Sequence, residues 1–289
     1  MSYQEFRPTK FNLLPDVVKN LMIINGLFFL ATYTFQSTFG IDLIEKLGLH
    51  FIGSSLFQPY QIITHLFMHG SFMHIFSNMF MLWMFGNMLE NYWGGRRFLI
   101  YYLVTGLGAA LSHYLVSYYV DMAPVVNAIN DYIAHPSGDA LDSFVVQHKF
   151  MIDAGSPEYI LQSFNSFRQH VNTLNVNPTD RVALAGTVDF MREYKDYYMS
   201  MPNMVGASGA VFGVLLAFGM LFPNTMIYLY FAIPIKAKYF VILYGVFELY
   251  LGISNSASDN VAHFAHLGGM LFGFILIKYW NSRDREHFY

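Results

Sequence analysis

Apolar positions in this chain come in long runs rather than in short alternating ones. A helix needs about 20 mostly apolar residues to cross a hydrocarbon core about 30 Å thick, because each residue rises about 1.5 Å. Six segments come near that length: 20–38, 72–91, 97–120, 204–222, 238–254 and 261–280. They predict an all-α polytopic membrane protein, a bundle of six transmembrane helices. Between the third and fourth lies 121–203, which has no spanning run and carries ten acidic residues from Asp121 to Asp196. Within it, 158–174 and 180–199 place apolar residues at mixed three- and four-residue spacing, as helices lying on the membrane or against the core do. The expected organisation is a tail (1–19), helices 1–3 (20–120), a long extracytoplasmic insertion (121–203), helices 4–6 (204–280) and a second tail (281–289).

Composition supports the membrane class: 55% of residues are hydrophobic and only 12% charged, against roughly 25% charged in soluble domains. A net charge of -3 without a basic tract excludes nucleic acid as a natural partner. Cysteine is absent, which removes disulfides, thiolate nucleophiles and cysteine metal sites. The first 20 residues lack a signal peptide's apolar core, so the first span is expected to direct its own insertion. Short cytoplasmic loops retain Lys and Arg. With the N-terminus inside, ten of the 16 basic residues fall on inner segments and only Lys46 on a short outer loop. Both termini are therefore expected on the cytoplasmic side.

Ionisable and polar groups inside spans are costly in hydrocarbon and face a protein interior or a wet cavity. Here they are His74 and Asn78 in the second span, Ser112 and His113 in the third, Ser208 in the fourth, Glu248 in the fifth, and His263 and His266 in the sixth, with His65 and His69 just before the second. Spans two, four and six run the same way, so His74, Asn78, Ser208 and His266 share a depth near the outer surface. A serine hydroxyl becomes a nucleophile when a base takes its proton, and histidine is the usual base near neutral pH. Ser208 and His266 can form such a pair. His74 and Asn78, at i and i+4 on one helix face, can supply donors to an oxyanion. Small residues let helix backbones approach closely in lipid, and Gly206, Gly209, Gly269 and Gly273 flank the pair.

These residues resemble the rhomboid family of intramembrane proteases. The family's Gly-x-Ser-Gly stands as Gly206-Ala207-Ser208-Gly209, its Ala-His-x-x-Gly-x-x-x-Gly as Ala265 and His266 with Gly269 and Gly273, and its His-x4-His-x3-Asn as His69, His74 and Asn78. The resemblance covers about 20–120 and 204–280, and leaves 121–203 outside. It implies a serine-type endopeptidase with Ser208 as nucleophile and His266 as base, a dyad without an acidic third member. It further implies an oxyanion site made by His74, Asn78 and the Ser208 N–H, with His69 as an ancillary polar residue, and no metal or other cofactor. The implied partners are the lipid bilayer and transmembrane protein substrates cut near the outer face, and the implied location is a bacterial inner membrane. Two positions depart from the family pattern. Tyr60-Gln61 stands where a Trp-Arg pair is common, and Phe212 stands where many members stack a tyrosine on the base, which preserves stacking but not a hydroxyl bond.

Several of these residues have simpler readings. Gly-x-Ser-Gly alone is common where membrane helices pack. His113 and His263 are expected to be structural histidines, the latter at the mouth of the site. Glu248 is expected to be a helix-to-helix hydrogen-bond partner or a protonated structural acid rather than a catalytic member, and Glu90 to be structural. Two other functions compete with proteolysis. A pseudoprotease that binds membrane clients without cutting would be marked by loss of the serine or the histidine, and neither is lost. A transporter or haem protein built on the histidines leaves Ser208 and its glycines without a role.

Overall fold

The computed structural model describes residues 11–201, 203–229, 232–254 and 262–286, mostly in helices. Arg7 and Lys10 of the expected inner tail and Val261 of the expected sixth span lie outside the described residues. The chain divides into two compact units, one made of 1–48, 60–113 and 204–289 and the other of 49–59 and 114–203.

The first unit opens with the helix Asp16–Phe39. Pro15 precedes it and has no side-chain hydrogen bond to offer the first free N–H groups. Glu90 serves instead, its two carboxylate oxygens accepting from Val17 N at 2.9 Å and Val18 N at 2.8 Å, where a negative charge also suits the helix dipole. The helix stops at Gly40, whose φ of +65° is easy only for glycine. Phe72–Met81 follows, then a π turn at Leu82–Gly86 and the helix Asn87–Trp93. A helix then starts at Gly95 and stays α-helical to Val116.

Ser208–Leu221, the serine helix, lies at the centre of this unit. It is apolar on every side and buried on nearly every side, the expected fate of such a helix. Its fourteen residues cover about 21 Å, short of the roughly 30 Å of a hydrocarbon core. The span expected at 204–222 is thus corrected: the helix begins four residues late, because Gly206 takes a positive φ and breaks helical continuity. Non-helical backbone at such depth is tolerated where protein surrounds it.

Two peripheral helices behave oppositely. Asp16–Phe39 leaves Ile23, Leu27 and Leu30 exposed, and Ala237–Ser254, the glutamate helix, leaves Leu243, Val246 and Tyr250 exposed. Those faces are what lipid would cover. The last helix, His263–Glu286, is the histidine helix. Among the described residues, three helices are long and apolar enough to cross a membrane: Asp16–Phe39, Gly95–Ala134 and Ala237–Ser254.

The second unit has its own core. Helices Ala123–Ala134, Gly138–Gln147, Glu158–Val176 and Arg181–Ser200 bury Ile129, Tyr132, Phe144, Phe167 and Phe190 together. Phe150 meets Tyr194 edge-on at 4.9 Å and Phe190 at 5.4 Å. Burial in this cluster pushes the Tyr194 phenol up to about 12. The stretches expected as helices at 158–174 and 180–199 are helices, and they pack against this unit's own apolar residues. The unit is also wider than 121–203. The loop 49–59 joins it, through His50 Nδ1 at 3.2 Å from the Ser200 carbonyl and Ser55 Oγ donating to Asp196 at 3.1 Å.

Candidate active site

Gly206 sets the geometry of the serine. Its φ of +119° is one that side chains rarely adopt, and the helix starts two residues later with Ser208. The Gly206 N–H donates to the His65 carbonyl at 2.9 Å and ties the turn to the segment before the second span. That segment is seated by Gln61, which is buried and donates to the Lys46 carbonyl at 3.1 Å. Thr64 adds a 2.7 Å bond to the Leu47 carbonyl. Gln61 therefore anchors the loop without the family's Trp-Arg pair.

A methyl at Gly206 would come within 2.8 Å of His74 Nε2, so the His74 imidazole rests against the serine turn. Asn78 follows on the same face of Phe72–Met81. It is only 2% exposed, and its Nδ2 has no acceptor among the described residues. An unpaired buried amide costs about 1–3 kcal/mol, a cost that functional sites bear more often than structural ones. His69 is buried beside them, its ring edge-on to His74 at 4.9 Å, and neither of its nitrogens makes a hydrogen bond of ordinary geometry among the described residues. Ser208 adds a backbone donor, since the first N–H of a helix has no intrahelical acceptor.

The histidine helix meets the serine helix through glycine. A methyl on Gly269 would overlap the Gly209 carbonyl, and one on Gly209 would stand 3.3 Å from the Ala265 carbonyl oxygen. Gly209 follows Ser208 and Ala265 precedes His266, so this backbone contact brings the serine and the histidine to one level on facing helices. Gly273, one turn further on, faces the Tyr101 hydroxyl, which donates to the Gly213 carbonyl at 2.8 Å. The His266 ring lies flat on Phe212, with centroids 4.0 Å apart and planes 5° from parallel. The stacking expected of Phe212 is present.

Two expectations need correction. The resemblance implies no acid beside the histidine, yet Glu248 Oε2 lies 2.7 Å from His266 Nδ1. His263, expected at a wet mouth, is only 7% exposed, and its Nδ1 is also 2.7 Å from Glu248 Oε2. Glu248 does link helices, as expected of a structural acid, but what it holds is the candidate base. The signal was in the sequence: a carboxylate inside an apolar helix needs donors, and two histidines one turn apart on the next helix can supply them. Together Glu248, His263 and His266 offer one oxygen and two nitrogens within 4.8 Å of one another, a donor set able to hold a divalent cation. Ser112 stays outside the site, its hydroxyl bonded to the Gly108 carbonyl at 2.9 Å. His113 is partly buried, its Nδ1 has no hydrogen-bond partner among the described residues, and it lies near enough to His266 for the two imidazoles to interact electrostatically.

Known proteins resemble parts of this chain. A chloroplastic rhomboid-like protein of Arabidopsis thaliana is 40% identical over 57 residues, 20% of each chain. An uncharacterized mitochondrial rhomboid protein of Schizosaccharomyces pombe is 36% identical over 88 residues, 28% of this chain and 22% of that one. The matches thus span only about a fifth of these relatives' length. The rhomboid domain matches residues 56–129 and 183–282, so it covers the helices that carry the site and also takes in 121–129 and 183–203, which the resemblance was expected to leave outside. With more than half of its residues matched by that domain, the chain belongs to the rhomboid family and has its polytopic helical membrane fold.

Proposed function

We propose that this protein is an intramembrane serine endopeptidase that cleaves transmembrane protein substrates near the outer membrane face. Six spans, an extracytoplasmic 121–203 and cytoplasmic termini complete the reading, supported by the basic residues on alternate loops. The proposed membrane is a bacterial inner membrane; the two relatives are named for the mitochondrion and the chloroplast. The observation that supports the catalytic reading is the glycine contact between the serine and histidine helices, since Gly209 adjoins Ser208 and Ala265 adjoins His266.

In this mechanism, His266 Nε2 takes the Ser208 hydroxyl proton while Ser208 Oγ attacks the substrate carbonyl. The negative charge on that oxygen is met by the Ser208 N–H, by Asn78 Nδ2 and by His74. Collapse expels the amine, which receives the proton from His266 and leaves an acyl-enzyme. Water then repeats the sequence and frees the serine. Such donors act through charge that develops only in the transition state, so they raise turnover rather than substrate affinity.

The test is cleavage of a model transmembrane substrate in liposomes. Wild type should cut it and His266→Ala should not; equal cleavage by both, or none by a folded wild type, would remove the proteolytic reading. Asn78→Ala is expected to slow turnover by about 10²- to 10³-fold while Ser208 still reacts with a fluorophosphonate. Loss of folded protein would instead make Asn78 structural.

A further inference from the structure

Ala237–Ser254 buries only Ala237, Val241 and Glu248. Glu248 is thus on the face that meets the bundle, which Phe240 and Tyr244 share in part, while Leu243, Val246, Phe247 and Tyr250 are exposed. A carboxylate in that position loses several kcal/mol of hydration unless donors replace the water. Two donors are present, and both are imidazoles on the neighbouring helix: His263 Nδ1 and His266 Nδ1, each 2.7 Å from the same oxygen, Oε2. Phe212, stacked on His266 at 4.0 Å, also contacts Tyr244 at 5.1 Å, one turn before Glu248. The His266 ring is thereby fixed on its face by Phe212 and at one nitrogen by Glu248.

From this geometry we propose that Glu248 is a positioning residue for the peptidase reaction, the third member of a Ser208–His266–Glu248 chain, and that His263 holds its carboxylate in place. The proposal rests on the proteolytic reading of the same site. An ionised carboxylate only accepts hydrogen bonds, so His266 carries its proton on Nδ1. Nε2 is then the nitrogen with a free lone pair, the one the reaction needs turned toward Ser208. When Nε2 takes the serine proton, His266 becomes an imidazolium whose Nδ1–H still points at Glu248. Glu248 gains no proton; its charge balances the new cation, an interaction stronger in the transition state than in the resting enzyme. His263 keeps donating to the same oxygen throughout, so the carboxylate does not turn away when the ring moves.

The test compares wild type with Glu248→Gln, which keeps the shape and loses the charge, on a transmembrane substrate in liposomes. Glu248→Gln is expected to lower kcat by about 10²- to 10⁴-fold, the upper end being the loss of about 10⁴ seen when a triad acid is replaced. KM should stay within about threefold and the melting temperature near that of wild type, a split that a merely structural residue would not give. His263→Ala should show a smaller loss, also in kcat. Nitrogen NMR of histidine-labelled wild type, assigned with His266→Ala, should find His266 protonated at Nδ1. That reading decides the matter even if Glu248→Gln fails to fold. An active wild type with Glu248→Gln within threefold of it, or His266 protonated at Nε2, would overturn the role of Glu248 and leave proteolysis standing. Activity lost to a chelator and restored by zinc would overturn it too, by making the three residues metal ligands. A wild type that neither cuts substrate nor reacts with a fluorophosphonate would remove both readings together.

Discussion

Ser208→Ala is expected to leave a folded membrane protein whose peptide-bond cleavage falls by about six orders of magnitude. The size follows from what is deleted. Without the hydroxyl there is no acyl-enzyme, and the donors around the site can only assist direct attack by water, which retains a small residual acceleration. Folding should be spared, because the serine helix begins at this residue through its backbone and through the Gly206 turn, not through the hydroxyl. Substrate cleavage and thermal melting measured on one preparation separate the two effects. A variant that melts like wild type and still cuts at more than about a hundredth of its rate would show that another nucleophile acts.

Gly269→Ala should act on the fold itself. Its methyl would overlap the Gly209 carbonyl, which is backbone and cannot turn aside as a flexible side chain would. Overpacking of a well-packed core typically costs 1–3 kcal/mol, and a clash with main chain belongs at or above the upper end. Lipid offers no hydrophobic force to press the helices back together. The serine and histidine helices should therefore separate, with a loss of about 3 kcal/mol or more and a melting temperature lower by roughly 10 °C. Activity should fall with it. Gly245→Ala is the control, since its methyl would meet only the flexible end of Met270, Sδ at an ordinary 3.5 Å and Cε at 4.0 Å. Equal melting temperatures for the two variants would contradict the close helix contact.

The sequence pattern located the helices well where apolar length alone decides. Ala237–Ser254 starts one residue from its expected beginning, and Phe72–Met81 starts at the expected residue. It failed where one backbone angle decides. Nothing in the hydropathy of 204–222 announces that Gly206 takes a φ of +119°, so the helix was expected to begin before the serine rather than on it. Residues 49–59 fall within the expected core segment 20–120, yet they belong to the second unit. Their attachment to the second unit depends on hydrogen bonds to Ser200 and Asp196, about 150 positions away. In the site, spacing and family pattern together selected Ser208, His266, His74 and Asn78. Glu248 is expected to bond between helices, and the spacing rules name no partner for it, since His263 and His266 lie 15 and 18 residues further on, outside its own helix. Its burial cost and a pair of histidines able to meet it are both legible in the sequence; that the two share one carboxylate oxygen is not.

The most direct measurement is peptide mapping of the protein after reaction with a fluorophosphonate in detergent. The account predicts one covalent adduct, on the peptide containing Ser208, which is lost in His266→Ala and formed more slowly in Glu248→Gln. A wild type that is folded and cuts a transmembrane substrate while carrying no adduct, or carrying it on another residue, would contradict Ser208 as the nucleophile.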